Sequence, residues 1–340
     1  MIRMILLSVA VGLGLGAKSE AQSVDLGARV AAAVEGHIVP GYARFAQSAR
    51  ELSDVAKDQC VPSDDGLQTA FHLAFDDWVQ VSHLRFGPSE ADNRAFALAF
   101  WPDTRGKTPK ALAGLIAKKA PAGLDVEEMM QQSIAAQGFY ALEFLLFDPQ
   151  IMMMGEASYR CALVRNLAEG IAIRAEAIHL EWADGYGAAM MSPAEEGPYR
   201  TAEEAAGELV KAVATGLQFT DEARLARPLG TFEKPRPKRA EARRSGRSLR
   251  HVVLSLEATG DLAVILAGET SAGQRVATGF ATALSNAEIE DPVFAGVADP
   301  IGRLKVESLQ QYVYGLREEA VGELVDLLGV SIGFNALDGD

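Results

Sequence analysis

An all-α fold is what these 340 residues predict, on three observations. From Val24 onward apolar side chains recur at helical spacing in Ala-rich stretches. Runs of Val, Ile and Thr alternating as a strand requires are few. Helix-opening signatures stand where the apolar periods begin, and no short internal repeat suggests a solenoid.

A first helix is expected from Asp25 to Asp58, kinked at Pro40-Gly41, because proline removes a helical hydrogen bond. A second covers Leu67 to Leu84 and stops at Gly87-Pro88. Trp101-Pro102-Asp103-Thr104-Arg105-Gly106 is rich in turn formers and reads as a loop. The next helix opens at Asp125, which can cap while Glu128 reaches back, and runs to Phe147, where Asp148-Pro149 ends it. Further helices fit Ala157 to Trp182 and, from a Thr201/Glu204 capping box, the stretch to Arg224. The last three fit Leu249 to Leu266, Gln274 to Ala287 and Leu304 to Leu328. Between them residues 228–250 form a basic, proline-bearing connector, dividing an N-terminal helical half (22–227) from a C-terminal part (251–340).

The first residues follow the grammar of a secretory signal peptide: Arg3 in a short start, an apolar run from Ile5 to Gly16, and small residues at Ser19 and Ala21. Cleavage is expected before Gln22, and no lipobox cysteine follows. No later segment is long and charge-free enough to span a bilayer. The expected location is therefore the periplasm. A net charge of −14 argues against nucleic acid or an anionic membrane as the main partner. In an oxidising compartment the two cysteines, Cys60 and Cys161, read most economically as one disulfide, two buried thiols being the alternative.

Signatures of zinc peptidases and of nucleotide-binding proteins are missing. There is no H-E-x-x-H and no P-loop, and Gly12, Gly14 and Gly16 belong to the leader. The informative segment is Gln137 to Phe147. On a helix Tyr140 and Glu143 share a face amid Phe139, Leu142, Leu145 and Leu146. Gly138 costs helix stability, which implies that a backbone or a ligand comes close there. An acid in so apolar a run needs an arginine, a hydrogen-bond network or a cation. The alternative is a solvated polar stripe.

Gly138-Phe139-Tyr140-Ala141-Leu142-Glu143 resembles the G-x-H-x-x-E motif of the imelysin family, also called M75 peptidase-like, with tyrosine in place of histidine. Arg244-Ser245-Gly246-Arg247-Ser248-Leu249 and the terminal Gly333-Phe334-Asn335-Ala336-Leu337-Asp338-Gly339-Asp340 resemble later segments of the same family. The resemblance implies two helical, bundle-like halves packed together, with the motif helix near a cleft between them. It also implies a role in iron-regulated uptake. Some members carry a metallopeptidase label, which does not transfer to a chain lacking the motif histidine and any second zinc-ligand cluster. Tyr140 and Glu143 remain candidate metal ligands: oxygen donors suit harder cations than imidazole does, and a phenolate is able to bind ferric iron. The alternative is a site that has lost its metal and kept Tyr140 as a hydrogen-bonding or stacking surface.

Around this motif, Arg85 or Arg244 is expected to balance Glu143, Trp101 to offer a flat face beside Asp103, and Ser245 and Ser248 to join the ligand site. His72 and Asp76 stand at i, i+4 and form a second candidate ligand pair, with an ordinary surface pair as the alternative; His83 is too far along the helix to share an ion with them. His37, His179 and His251 have no ligand spacing around them. Three functions compete: a non-enzymatic component of metal or iron acquisition binding an ion or small ligand, a metal-dependent peptidase, and a module that binds another envelope protein.

Overall fold

The computed structural model describes residues 24–331. The leader ending at residue 21 and the segment 333–340 lie outside them. Helices dominate, and the only β pairing among the described residues is one isolated bridge between Thr231 and Lys234. No helix among those residues is long and apolar enough to cross a membrane.

The first expected helix forms as α1 (Leu26–Ala33) and α2 (Val39–Asp58), joined without interruption by a π turn at Val34–Ile38. The irregularity lies just before Pro40: the continuous helix lacks a donor at the proline, and the π turn that precedes it takes up the register change. Gly41 brings α2 against α3 (Asp65–Val81), since a side chain there would meet Val81 at 2.9 Å. Short helices α4 (Arg94–Leu98) and α5 (Lys107–Lys118) follow.

The helix expected from Asp125 to Phe147 is broken in two. Asp125 does cap, accepting from the Glu128 amide, but α6 stops at Met130 (Val126–Met130), and α7 (Gly138–Phe147) begins eight residues later. Gln137 holds the break open: its buried amide donates to the Met130 carbonyl at 3.1 Å and the Gln132 carbonyl at 2.6 Å. After α8 (Pro149–Met152) the longest helix of this region, α9 (Ala157–Glu181), turns through a π segment into α10 (Gly187–Met191).

Thr201 caps α11 (Ala202–Gln218) as expected, while Glu204 closes onto the Arg200 amide at 2.7 Å. A π segment (Phe219–Leu225) leads to α12 (Ala226–Leu229). The final helices are α13 (Ser248–Ala267), α14 (Ser271–Asn286) and α15 (Pro300–Leu328), the last opened by Asp299 four residues before the expected start.

Packing and chain order divide these helices differently. α2, α3, α7 and α9 pack on one another, whereas α11 packs on α13 and α15, and α14 on both of those. α3 meets α13, and α1 touches α11 and α13, so the two groups are in contact. Phe75 and Phe139 stack at 4.5 Å in the first group, and Phe75 also meets the ring of His251 on α13 at 4.5 Å.

Cys60 and Cys161 form the expected disulfide, tying the end of α2 to the first turns of α9 with Cα atoms 5.0 Å apart. It closes a loop of 101 residues, for which chain entropy alone gives about 4–5 kcal/mol. We expect the Cys60→Ser/Cys161→Ser variant to lose about 2–4 kcal/mol in urea unfolding, less than the entropic figure because α2 and α9 are packed along their length in any case.

His37 and His83 meet in the interior, with Nε2 atoms 3.2 Å apart, so one ring donates and the other accepts and both are neutral. Burial, then Arg44, lowers the His37 pKa from 6.5 to about 4; burial, His37 and Arg224 push His83 well below 6.5 as well. The unfolded chain takes up protons on both rings below pH 6.5 and the folded chain does not. Stability should therefore fall as pH drops from 6.5 toward about 4, by about 1.4 kcal/mol per unit for each ring. Buried Glu143 and Asp77, whose pKa values are raised by burial, act in the opposite sense. Urea unfolding at several pH values isolates the histidine contribution if the His37→Leu/His83→Leu variant is compared: its slope should be the flatter, and an equal slope would reject the pair as the cause.

Candidate functional site

The motif helix is buried from its first residue. Gly138 has φ +70°, and a Cβ there would lie 2.2 Å from the Leu98 carbonyl oxygen. The close approach inferred from this glycine is thus made by another backbone, the end of α4. Seating α7 there places Tyr140 and Glu143 in the interior, 6% and 2% exposed, which excludes a solvated stripe.

Both residues face residues 241–245, about a hundred positions along the chain. Glu143 Oε1 accepts the Arg244 amide at 3.1 Å, the Ser245 amide at 3.0 Å and the Ser245 hydroxyl at 2.9 Å. The chain presents two successive amides because it turns sharply: Ala242 has φ +45° and Gly246 φ +75°, and the Arg247 amide closes onto the Ala242 carbonyl. Burial raises the Glu143 pKa; the Ser245 donors and Arg244 pull it back only in part.

Tyr140 answers in the other direction. Its hydroxyl donates to Glu241 Oε1 at 2.5 Å. Glu241 is 3% exposed, and its other oxygen accepts Arg224 Nε at 2.6 Å, with His251 Nδ1 3.3 Å away though not aligned for a hydrogen bond. Arg224 also donates to the Ser255 hydroxyl at 3.0 Å. Burial works to raise the Glu241 pKa, but Arg224 and the His251 ring outweigh it and bring it to about 2. Burial and the Glu241 charge together hold the Tyr140 phenol well above 10.

A cavity of about 190 Å³ opens beside these groups, between the loop from Phe100 to Pro109, α7, Arg227 and residues 238–244. Trp101 forms one side: its ring stacks toward Tyr140 with centroids 6.3 Å apart, and Arg227 lies over it at 5.6 Å. Asp103 caps α5, accepting the amides of Arg105, Lys107 and Thr108. Burial opposes its charge, but these amides hold its pKa below the usual carboxylate range.

The imelysin family model matches residues 38–320. The chain belongs to the imelysin family. No curated protein matches it in sequence. Among solved structures it is similar to an imelysin-like protein from Psychrobacter arcticum 273-4, at 18% identity with a TM-score of 0.76, covering 91% of this chain and 97% of that one. A protein from Parabacteroides distasonis ATCC 8503, assigned as an iron-regulated protein A precursor, matches at 13% identity and the same TM-score, over 91% and 97% of the two chains. At these identities the likeness concerns the fold.

In this imelysin-family chain the expected site residues are brought together unevenly. Trp101, Asp103, Tyr140, Glu143 and Arg244 share the cavity wall. Ser245 reaches Glu143, while Ser248 is buried behind it with its hydroxyl on the Glu241 carbonyl. Arg85 is elsewhere: it pairs with Glu90 at 2.6 Å and lies over Phe96. Arg244 meets Glu143 through its amide; its guanidinium pairs with Asp148 at 2.7 Å and covers the Phe144 ring. His72 stacks on Phe147 at 5.4 Å, and Asp76 is taken by Arg247 and Arg250, so the two do not act as a ligand pair.

As a resident metal site, Tyr140 and Glu143 do not fit. The phenol keeps its proton and spends it on Glu241, and the Glu143 oxygen nearest its neighbours already accepts three hydrogen bonds. Among the described residues no three His, Cys, Asp or Glu side chains converge as metal ligands would. Sequence reasoning missed Glu241, Arg224, Arg227 and Arg239. One signal was available: Glu241 is the lone acid between Glu233 and Arg250, in a stretch otherwise basic.

Proposed function

We propose that this imelysin-family chain is a non-enzymatic, periplasmic ligand-binding component of iron acquisition, and that the cavity beside Trp101 and Tyr140 is where its ligand sits. The observation that carries the reading is how the polar groups of α7 are used. Tyr140 and Glu143 are each hydrogen-bonded to residues 241–245, which supports a role in shaping a cavity wall over one as base or metal ligand in peptide cleavage. The iron context is supported by the iron-regulated description of the Parabacteroides protein and by the motif resemblance. Export is supported by the leader-like first residues, and a mature chain starting at Gln22 would be seen as a mass in the periplasmic fraction.

The test is calorimetric titration of the purified mature chain with ferrous ion, ferric ion and ferric citrate, alongside incubation with an unfolded protein substrate. One iron form should bind and the substrate should stay intact. Failure of all three forms to bind, or chelator-sensitive cleavage abolished by Glu143→Gln, would replace this reading with another, in the second case the peptidase.

A further inference from the structure

We infer that the cavity beside Trp101 takes a small oxyanion, a phosphate or carboxylate group, and not a bare cation. The inference rests on this cavity being the binding site and adds the chemical class of what binds. In a chain with a net charge of −14, its wall carries four basic side chains, Arg227, Lys238, Arg239 and Arg244, against two acids, Asp103 and Glu143. Both acids are already engaged by protein donors: Asp103 accepts three amides, and Glu143 Oε1 accepts two amides and a hydroxyl.

The basic side chains are in the opposite condition. Arg244 is paired with Asp148, but Arg227, Lys238 and Arg239 have no carboxylate partner among the described residues. Arg227 Nε is buried and without a hydrogen-bond acceptor. A buried donor left unpaired costs free energy, and an oxyanion supplies what it lacks. Arg227 and Arg239 also repel each other, and Arg227 is partly desolvated, so a negative charge between them relieves two costs at once. The volume of about 190 Å³ suits one compact group. A guanidinium over an indole face, with lysine and a second arginine at the edge, is the donor set that binds phosphate or carboxylate oxygens.

Two sources share this chemistry: a free oxyanion, and the anionic face of a metal complex. The full mature chain is titrated calorimetrically with inorganic phosphate, citrate, ferric citrate and the bare ferric, ferrous and zinc ions. The same titrations are run on Lys238→Gln/Arg239→Gln, which removes exposed charges and leaves the core intact, and on Arg227→Gln. At least one anion should bind the wild type, weaken with added salt, and bind about tenfold or more weakly in each variant, the range of a charge-assisted hydrogen bond. Binding of ferric citrate without phosphate or free citrate supports the inference and identifies the source as a metal complex. Binding of phosphate or citrate with no iron form also supports it, and removes the iron role proposed above. No anion bound, or anion binding unchanged in both variants, overturns it. Bare-cation binding lost in Glu143→Gln, with no anion bound, overturns it and leaves the ligand-binding reading standing.

Discussion

Arg224→Met should cost about 3–5 kcal/mol of folding stability, the range for removing one partner of a buried ion pair. Glu241 and Arg224 are each 3% exposed and 2.6 Å apart. Without the guanidinium, the Glu241 carboxylate would keep the Tyr140 hydroxyl on one oxygen and an unaligned imidazole near the other, too little to offset its desolvation. The Ser255 hydroxyl would lose its charged donor as well. The effect is also legible in pH. In the wild type the Glu241 pKa is held down at about 2, so its contribution is complete above the unfolded carboxyl value of 4.5 and is lost as pH falls from there through about 2. In Arg224→Met burial is less opposed and the folded pKa rises toward the unfolded value, so that loss should shrink or vanish. Urea unfolding from pH 7 downward gives both quantities, and Arg224→Met/Glu241→Gln should be destabilised less than the two single changes added together. A loss for Arg224→Met under about 1 kcal/mol would mean that solvent reaches this carboxylate and the network is not closed.

Gly138→Ala should be comparably severe, at about 3 kcal/mol or more, through two additive causes. The left-handed backbone at φ +70° costs a side-chain-bearing residue about 1–2 kcal/mol. The new methyl would in addition lie 2.2 Å and 2.3 Å from the Leu98 and Ala97 carbonyl oxygens, backbone atoms that yield only if α4 moves. Gly114→Ala is the control. That glycine lies inside α5 with nothing within 4 Å of its added Cβ, and alanine there should stabilise by about 0.4–1 kcal/mol. Thermal unfolding of the two variants should move in opposite directions. Equal, small shifts would show that α7 tolerates another start.

Most of the helical order was legible because periodicity and caps act locally: Asp125 and Thr201 bond the amides three residues on, as their positions imply. What escaped was decided at a distance. Within Val126 to Phe147 Gly138 signals a close approach but not a break, since the apolar pattern continues; the break exists because α4 approaches Gly138 and Gln137 secures the loose carbonyls. The site shows the same division. That Glu143 needed satisfying follows from its apolar surroundings. That backbone amides would do it does not, because the donors are 101 and 102 residues away and a turn with positive φ at Ala242 has no strong signature. Arg85 was one of the two arginines offered for Glu143, yet Glu90 five residues on claims it. Glu241 was passed over because a basic stretch in an acidic chain is ordinarily solvated, and this one turns Glu241 inward.

The bonds between α7 and residues 241–245 run both ways: the helix's acid is held by the segment's amides, and the segment's acid by the helix's phenol. Such a clasp works as a gauge of spacing. Tyr140 and Glu143 stand three positions apart, about one helical turn, and so do Glu241 and Arg244 along their segment. Inserting or deleting a single residue within 241–244 would unfasten both grips together, whereas the exposed turn at Thr231–Lys234 can change length with neither disturbed.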